Sequence, residues 1–154
     1  MIKTRFLILA IIIPLVGLTQ TNKKDFLFEW HNNKSAEWIL IDSSFQKFTP
    51  TIEEIMLAKE LAKYHIDSLE QNRDKRNGKL LENTDSDYYR QYIGYIDDMG
   101  DHIILLNAVC SAYAQKRNLN KEWILVLDGG SCFYQIKVNL KRKRCFDFSV
   151  NGVA

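Results

Sequence analysis

The spacing of apolar and polar residues divides the chain into segments of different period. Phe6 to Leu18 run apolar, with only Pro14 and Gly17 interrupting. From Phe48 to Gln71, in FTPTIEEIMLAKELAKYHIDSLEQ, Ile52, Ile55, Ala58 or Ala62, Ile66 and Leu69 recur at helical spacing. Lys59, Glu60, Lys63, Asp67 and Glu70 fill the other side, so the pattern predicts one long amphipathic helix. Two starts compete for it. Thr49 before Pro50 puts proline at the first helical position, and Thr51 with Glu54 offers a capping box. Glu53 and Glu54 oppose the helix dipole in either case. QNRDKRNGKLLENTDSD follows as a polar connection carrying Gly78.

Beyond that connection the period becomes strand-like. Tyr88 to Asp97 is rich in aromatic and β-branched residues, and Asp98-Met99-Gly100-Asp101 reads as a tight turn with Gly100 at positive φ. His102 to Tyr113 returns as a mostly apolar strand, and AQKRNLNK leads to Glu122 to Leu127, EWILVL, a further predicted strand. Asp128-Gly129-Gly130 then suggests a bulge or bend before Cys132 to Leu140. The Lys141-Arg142-Lys143-Arg144 turn precedes the last strand, Cys145 to Val150. Alternation puts Cys132, Tyr134, Ile136 and Val138 on one face, with Phe146, Phe148 and Val150. Gln135, Lys137, Cys145, Asp147 and Ser149 point the other way. Upstream, residues 20–35 read as a loosely held arm whose aromatics, Phe26, Phe28 and Trp30, dock on the core, and Glu37 to Asp42, EWILID, is a short β-prone run. Residues 36–154 are thus expected to form a single α+β domain, one main helix packed on a curved antiparallel sheet of about four strands. The layout is cystatin-like or NTF2-like, an analogy of fold that supplies no function.

Four pieces also carry a resemblance: RQYIGY, GDHIILLNAVC, LDGGSCFYQIKVNL and the terminal DFSVNGVA. Their order is similar to an uncharacterised family of small exported proteins of Bacteroidetes-type bacteria. The resemblance covers roughly the second half of the chain and implies export. No activity is established for that family, so it implies no catalytic residue.

The N-terminal pattern points the same way. Lys3 and Arg5 precede an apolar run of 13 residues that Thr19 and Gln20 break, which is the order of a secretory signal peptide. A membrane span needs about 20 apolar residues, so residues 1–19 are expected to be cleaved before Gln20, leaving a periplasmic or extracellular protein. The formal charge of the whole chain is +2, from 21 basic and 19 acidic side chains. Without residues 1–19 the chain has 135 residues and 19 charges of each sign. A neutral domain has no electrostatic basis for binding nucleic acid or acidic membranes, and contact with a membrane is expected only through an uncleaved signal segment.

Candidate chemistry is sparse. Three cysteines allow at most one internal bridge. Cys132 and Cys145 fall on opposite faces of their predicted strands, so Cys110–Cys132 is the better pair, with buried free thiols as the alternative. A Cys110 or Cys132 nucleophile with His65 or His102 lacks any local signature. His31, His65 and His102 have no metal-ligand spacing, and Asp97, Asp98 and Asp101 lack the distal ligands of a calcium loop. Asp128-Gly129-Gly130 opens no phosphate-cradling helix. No cofactor or metal is implied. Lys141, Arg142, Lys143 and Arg144 read as a solvated turn guarding a strand edge, or as a contact for a polyanion. Tyr88, Tyr89, Tyr92 and Tyr95 place rings on both faces of one strand. Tyr89 and Tyr95 are the candidates for an exposed platform, with cross-strand packing as the plain alternative.

These features predict a small exported non-enzymatic binding module, its partner an envelope protein or a glycan met on an open sheet face. An envelope hydrolase with a Cys/His pair and an inhibitor or immunity-type protein are the competing readings.

Overall fold

The computed structural model describes residues 24–28, 45–115 and 117–152. The proposed leader, Trp30, His31 and the Glu37 to Asp42 run lie outside them. The described residues form an α+β arrangement, one main helix against an open mixed sheet of six strands. The strands are β1 (Asp25–Leu27), β2 (Gln46–Phe48), β3 (Tyr88–Ile96), β4 (His102–Cys110), β5 (Phe133–Asn139) and β6 (Arg144–Val150). β3 to β6 form the antiparallel meander that the period predicts. The sheet exceeds the expected four strands because two three-residue strands share the outer edge of β3. β1 pairs with it in parallel at Arg90 to Tyr92, and β2 pairs antiparallel at Gly94 to Ile96. Asp25 to Phe28 therefore belong to the sheet layer. Phe26 stacks on Tyr89, and the buried Phe28 meets Trp123 edge-on with ring centroids 5.4 Å apart.

The main helix, α1 (Ile52–Gln71), begins at the second of its two candidate starts. Thr51 Oγ1 accepts from the Glu54 amide at 3.2 Å, and the Thr51 amide donates to Glu54 Oε2 at 2.8 Å. Both bonds of a capping box are present, satisfying donors that the first turn leaves orphaned. Ile55, Ala58 and Ala62 are its buried residues. Two alanines at this contact let the backbone approach the sheet closely. Beneath them lie Ile104, Leu106, Ile136 and Val138, all fully buried; each such side chain stabilises the fold by about 1.5–3 kcal/mol on burial.

The opposite face of the sheet is covered too, by a segment read from sequence as a strand. Glu122 to Leu127 joins no ladder. After one helical turn, α2 (Ser111–Ala114), the chain crosses this face, burying Leu119, Trp123 and Ile124. Three amide side chains in register, Gln91, Asn107 and Gln135, hold it there. Gln91 Nε2 donates to the carbonyls of Leu119 (2.8 Å) and Glu122 (2.7 Å), and its Oε1 accepts from the Ile124 amide (3.0 Å). Asn107 Nδ2 donates to the Ile124 carbonyl at 2.8 Å and to Gln91 Oε1 at 3.1 Å. Gln135 Nε2 reaches Asn107 Oδ1 at 3.2 Å. Side chains thus supply the backbone partners that a neighbouring strand would have supplied.

Two local geometries depart from simple alternation. Gly129 and Gly130 both have positive φ (100° and 57°), but they lead into a 3-10 turn (Gly130–Cys132) before β5 rather than bending a continuous strand arm. In β6 the register shifts so that two residues oppose Ile136, with Asp147 at φ 50°. This β-bulge flips the face downstream. Cys145, opposite Val138, packs on the helix side together with Phe148 and Val150. Phe146 falls on the other face, with Lys137 Nζ 5.9 Å from its ring centre. The expected placement of Cys145 and Phe146 is therefore reversed. Gly100 does take positive φ, 75°, in the β3–β4 turn.

Candidate functional site

The expected sites disperse. Tyr95 is 4% exposed and its ring stacks on Phe45 at 5.2 Å; burial pushes its phenol up to about 12. Tyr89 is half-buried under Phe26. Neither forms an open platform, because the far face of the sheet is occupied by Phe28, Ala114, Leu119, Trp123 and Ile124.

The basic turn is partly consumed by its neighbour. The Asp101 side chain is fully buried in the β3–β4 turn, and it accepts from Lys141 Nζ (2.8 Å), Asn139 Nδ2 (3.0 Å) and Arg142 Nε (2.6 Å). Those bonds, that from Lys141 foremost, hold its carboxyl well below the usual carboxylate range. Lys141 and Arg142 thereby knit two hairpin turns together. Lys143, with φ 49°, and Arg144 remain exposed at the tip.

Cys110 and Cys132 are joined by a disulfide, with Cα atoms 4.8 Å apart, which ties the end of β4 to the turn before β5. Cys145 is a half-buried free thiol that burial pushes up to about 11. His102 opens β4 opposite Ile96, and its ring lies 4.2 Å from that of Phe48. It is eight strand residues from Cys110, about 27 Å along the strand. A disulfide sulfur cannot act as a thiolate nucleophile, and His102 is far from either sulfur-bearing residue. The Cys110 or Cys132 pairing with His102 is therefore not assembled. Among the described residues no group of three His, Cys, Asp or Glu converges as a metal site, and no helix is long and apolar enough to cross a membrane.

What the fold does assemble is a cleft of about 350 Å³ between the C-terminal half of α1 and the segment from Lys79 to Tyr88. Its floor is apolar and aromatic, from Ile66, Leu81, Tyr88 and Tyr134. The two tyrosine rings meet edge-to-face at 5.0 Å. Lys63, Asp67 and Glu70 stand on the helix wall, and Lys79, Asn83 and Asp85 on the other.

Side chains hold the second wall in place. Glu70 Oε2 accepts from the Leu80 amide at 2.8 Å. Asp87 Oδ2 accepts from the Thr84 amide at 3.0 Å, and Ser111 Oγ donates to the Asp87 carbonyl at 2.7 Å. Arg90, 2% exposed, donates to the Asp85 carbonyl at 2.7 Å and pairs with Asp85 Oδ1. Asn83 Nδ2 lies 3.8 Å from Cys132 Sγ, and the Tyr88 hydroxyl donates to the Ser131 carbonyl. The disulfide-tied turn thus buttresses the cleft floor.

The electrostatics are those of a set of occupied pairs. Burial raises the Tyr88 phenol and pushes Tyr134 up to about 12, so both are neutral hydroxyls at ordinary pH. Its hydrogen bond to Asp67 raises Lys63. Burial opposes the Arg90 charge, but Tyr134 and Asp85 outweigh it. These shifts lead away from neutrality, whereas a general acid or base is tuned toward it. Sequence reading missed this site: Lys63, Asp67 and Glu70 look like a solvated helix face, and Lys79 to Asp87 like a linker. The one available signal was their i, i+4, i+7 spacing above a strand opening with paired tyrosines. Comparison of the chain with known protein families, curated proteins and solved structures finds no match.

Proposed function

We propose that the protein is an exported, non-enzymatic binding module that holds a small ligand in the cleft between α1 and the Lys79–Tyr88 wall. The observation that carries this reading is the cleft itself: an apolar floor, polar groups converging from two walls, and walls braced by hydrogen bonds before any ligand arrives. Such pre-formed concave sites with a few placed polar groups are the usual form of small-molecule sites. The ligand site moves from the open sheet face expected from sequence to the helix side. Export rests on residues 1–19 and on the disulfide, which suits an oxidising periplasmic or extracellular compartment. Membership of the exported Bacteroidetes-type family belongs to the same proposal. So does the cystatin-like or NTF2-like layout, supported by a helix followed by an antiparallel meander.

Native mass spectrometry of the protein recovered from its host's envelope tests the reading. The expected spectrum shows an N-terminus near Gln20 and a bound small molecule that Leu81→Trp, which fills the cleft, displaces. A ligand-free spectrum, or turnover of an envelope substrate, opposes it. A stoichiometric protein partner held through the exposed Tyr113 and Leu127 would favour the inhibitor or immunity-type reading instead.

A further inference from the structure

We infer that the ligand of the cleft is an uncharged saccharide unit, an inference that rests on the binding-module reading above. The rim carries both signs of charge, and most of those charges are already engaged. Lys63 pairs with Asp67, Arg90 with Asp85, and Glu70 with the Leu80 amide. Each pairing leaves capacity unused. Asp67 is bonded through Oδ2 and keeps Oδ1; Asp85 is bonded through Oδ1 and keeps Oδ2; Glu70 is bonded through Oε2 and keeps Oε1. Lys63, bonded once, keeps two of its three ammonium hydrogens.

This arrangement selects against ions. An incoming anion meets Asp67, Glu70 and Asp85. An incoming cation meets Lys63, Lys79 and, behind Asp85, Arg90. Either meets charges of its own sign beside those of the opposite sign, and like charges set against a ligand are the usual means of excluding it. A hydroxyl meets no such conflict. It donates to a spare carboxylate oxygen and accepts from a spare ammonium hydrogen, and both bonds are charge-assisted. A ligand bearing several hydroxyls around an apolar ring face matches the rest of the cleft, where Ile66, Leu81 and the Tyr88–Tyr134 pair form the floor. Among small molecules, the pyranose ring of a neutral sugar combines these features.

The test is a titration of the purified protein with N-acetylglucosamine, cationic glucosamine, anionic galacturonate and the apolar probe toluene, read by amide NMR. The expected result is saturable shifts at Ile66, Leu81, Tyr88 and Tyr134 with N-acetylglucosamine, and affinity for either charged sugar at least about tenfold weaker. Asp67→Asn, on the exposed side of α1, should weaken N-acetylglucosamine by about tenfold and leave toluene unchanged, since only the sugar can donate to the carboxylate. A charged sugar binding as tightly as the neutral one overturns the inference. Toluene entering the cleft while N-acetylglucosamine does not also overturns it, yet leaves the binding-module reading standing. If no probe moves the cleft resonances, both fall.

Discussion

Replacing Gln91 by leucine tests whether side-chain amides, rather than a strand, hold residues 119–124 on the sheet. Gln91 is fully buried and uses its whole capacity, two N–H groups and two lone pairs, in four hydrogen bonds of 2.7 to 3.1 Å. Leucine is nearly isosteric and makes none of them. The Ile124 amide, the Leu119 carbonyl and one Asn107 N–H are left without partners in a buried layer, while the Glu122 carbonyl is nearer solvent. Each orphaned buried group costs about 1–3 kcal/mol, and the added apolar surface returns about 1 kcal/mol. The expected net loss is therefore about 2–8 kcal/mol. The alternative to bearing it is release of the segment, which exposes Leu119, Trp123 and Ile124. Urea denaturation gives the loss, and amide hydrogen exchange at Ile124 shows whether the segment has lifted. Gln135→Leu is the control: its single 3.2 Å bond to Asn107 should be worth under about 1.5 kcal/mol. A Gln91→Leu protein within about 1 kcal/mol of the parent, with Ile124 still protected, refutes the reasoning.

Three further outcomes are expected. Replacing Cys110 and Cys132 together by serine opens a loop with a sequence separation of 22, and should lower unfolding free energy by about 3 kcal/mol. Equal urea midpoints with and without a dithiol reductant would contradict it. Gly129→Ala places a Cβ 2.6 Å from the Phe133 ring at φ 100°, which should cost about 1–3 kcal/mol in strain; an unchanged melting temperature would count against the close approach. Asp101 has its pKa lowered in the folded state, by Lys141 first. Its stabilising contribution is therefore full above the unfolded value near 4 and is lost as pH falls through the folded value. Stability of the parent should decline below about pH 4, and Asp101→Asn should be weaker at pH 7 and show a flatter acid limb. Parallel acid limbs for the two proteins would exclude this role.

The legible parts of the fold are those where period and burial agree. α1 announced its face and its Thr51–Glu54 cap, and β3 to β6 announced a meander through alternation and turn residues. The EWILVL run misled because its β-branched and apolar residues are the same whether a strand or three amides receive the backbone. Gln91 and Gln135, which serve it, look like ordinary outward positions. Bulges are equally silent: Asp147 at positive φ needs no glycine, since aspartate tolerates that region, so nothing marked the reversal of Cys145 and Phe146. The cleft was hidden for another reason. Lys63, Asp67, Glu70 and Asp85 are distant in sequence or scattered on a helix face, and only packing reveals that their charges are paired around one apolar floor.

Whether this cleft is where the protein meets its ligand is answered by a crystallographic screen of the purified protein with small neutral polar fragments. Fragments are expected to seat against Tyr88 and Tyr134, between Asp67 and Asp85. A cleft that stays empty while fragments gather elsewhere on the surface would contradict it.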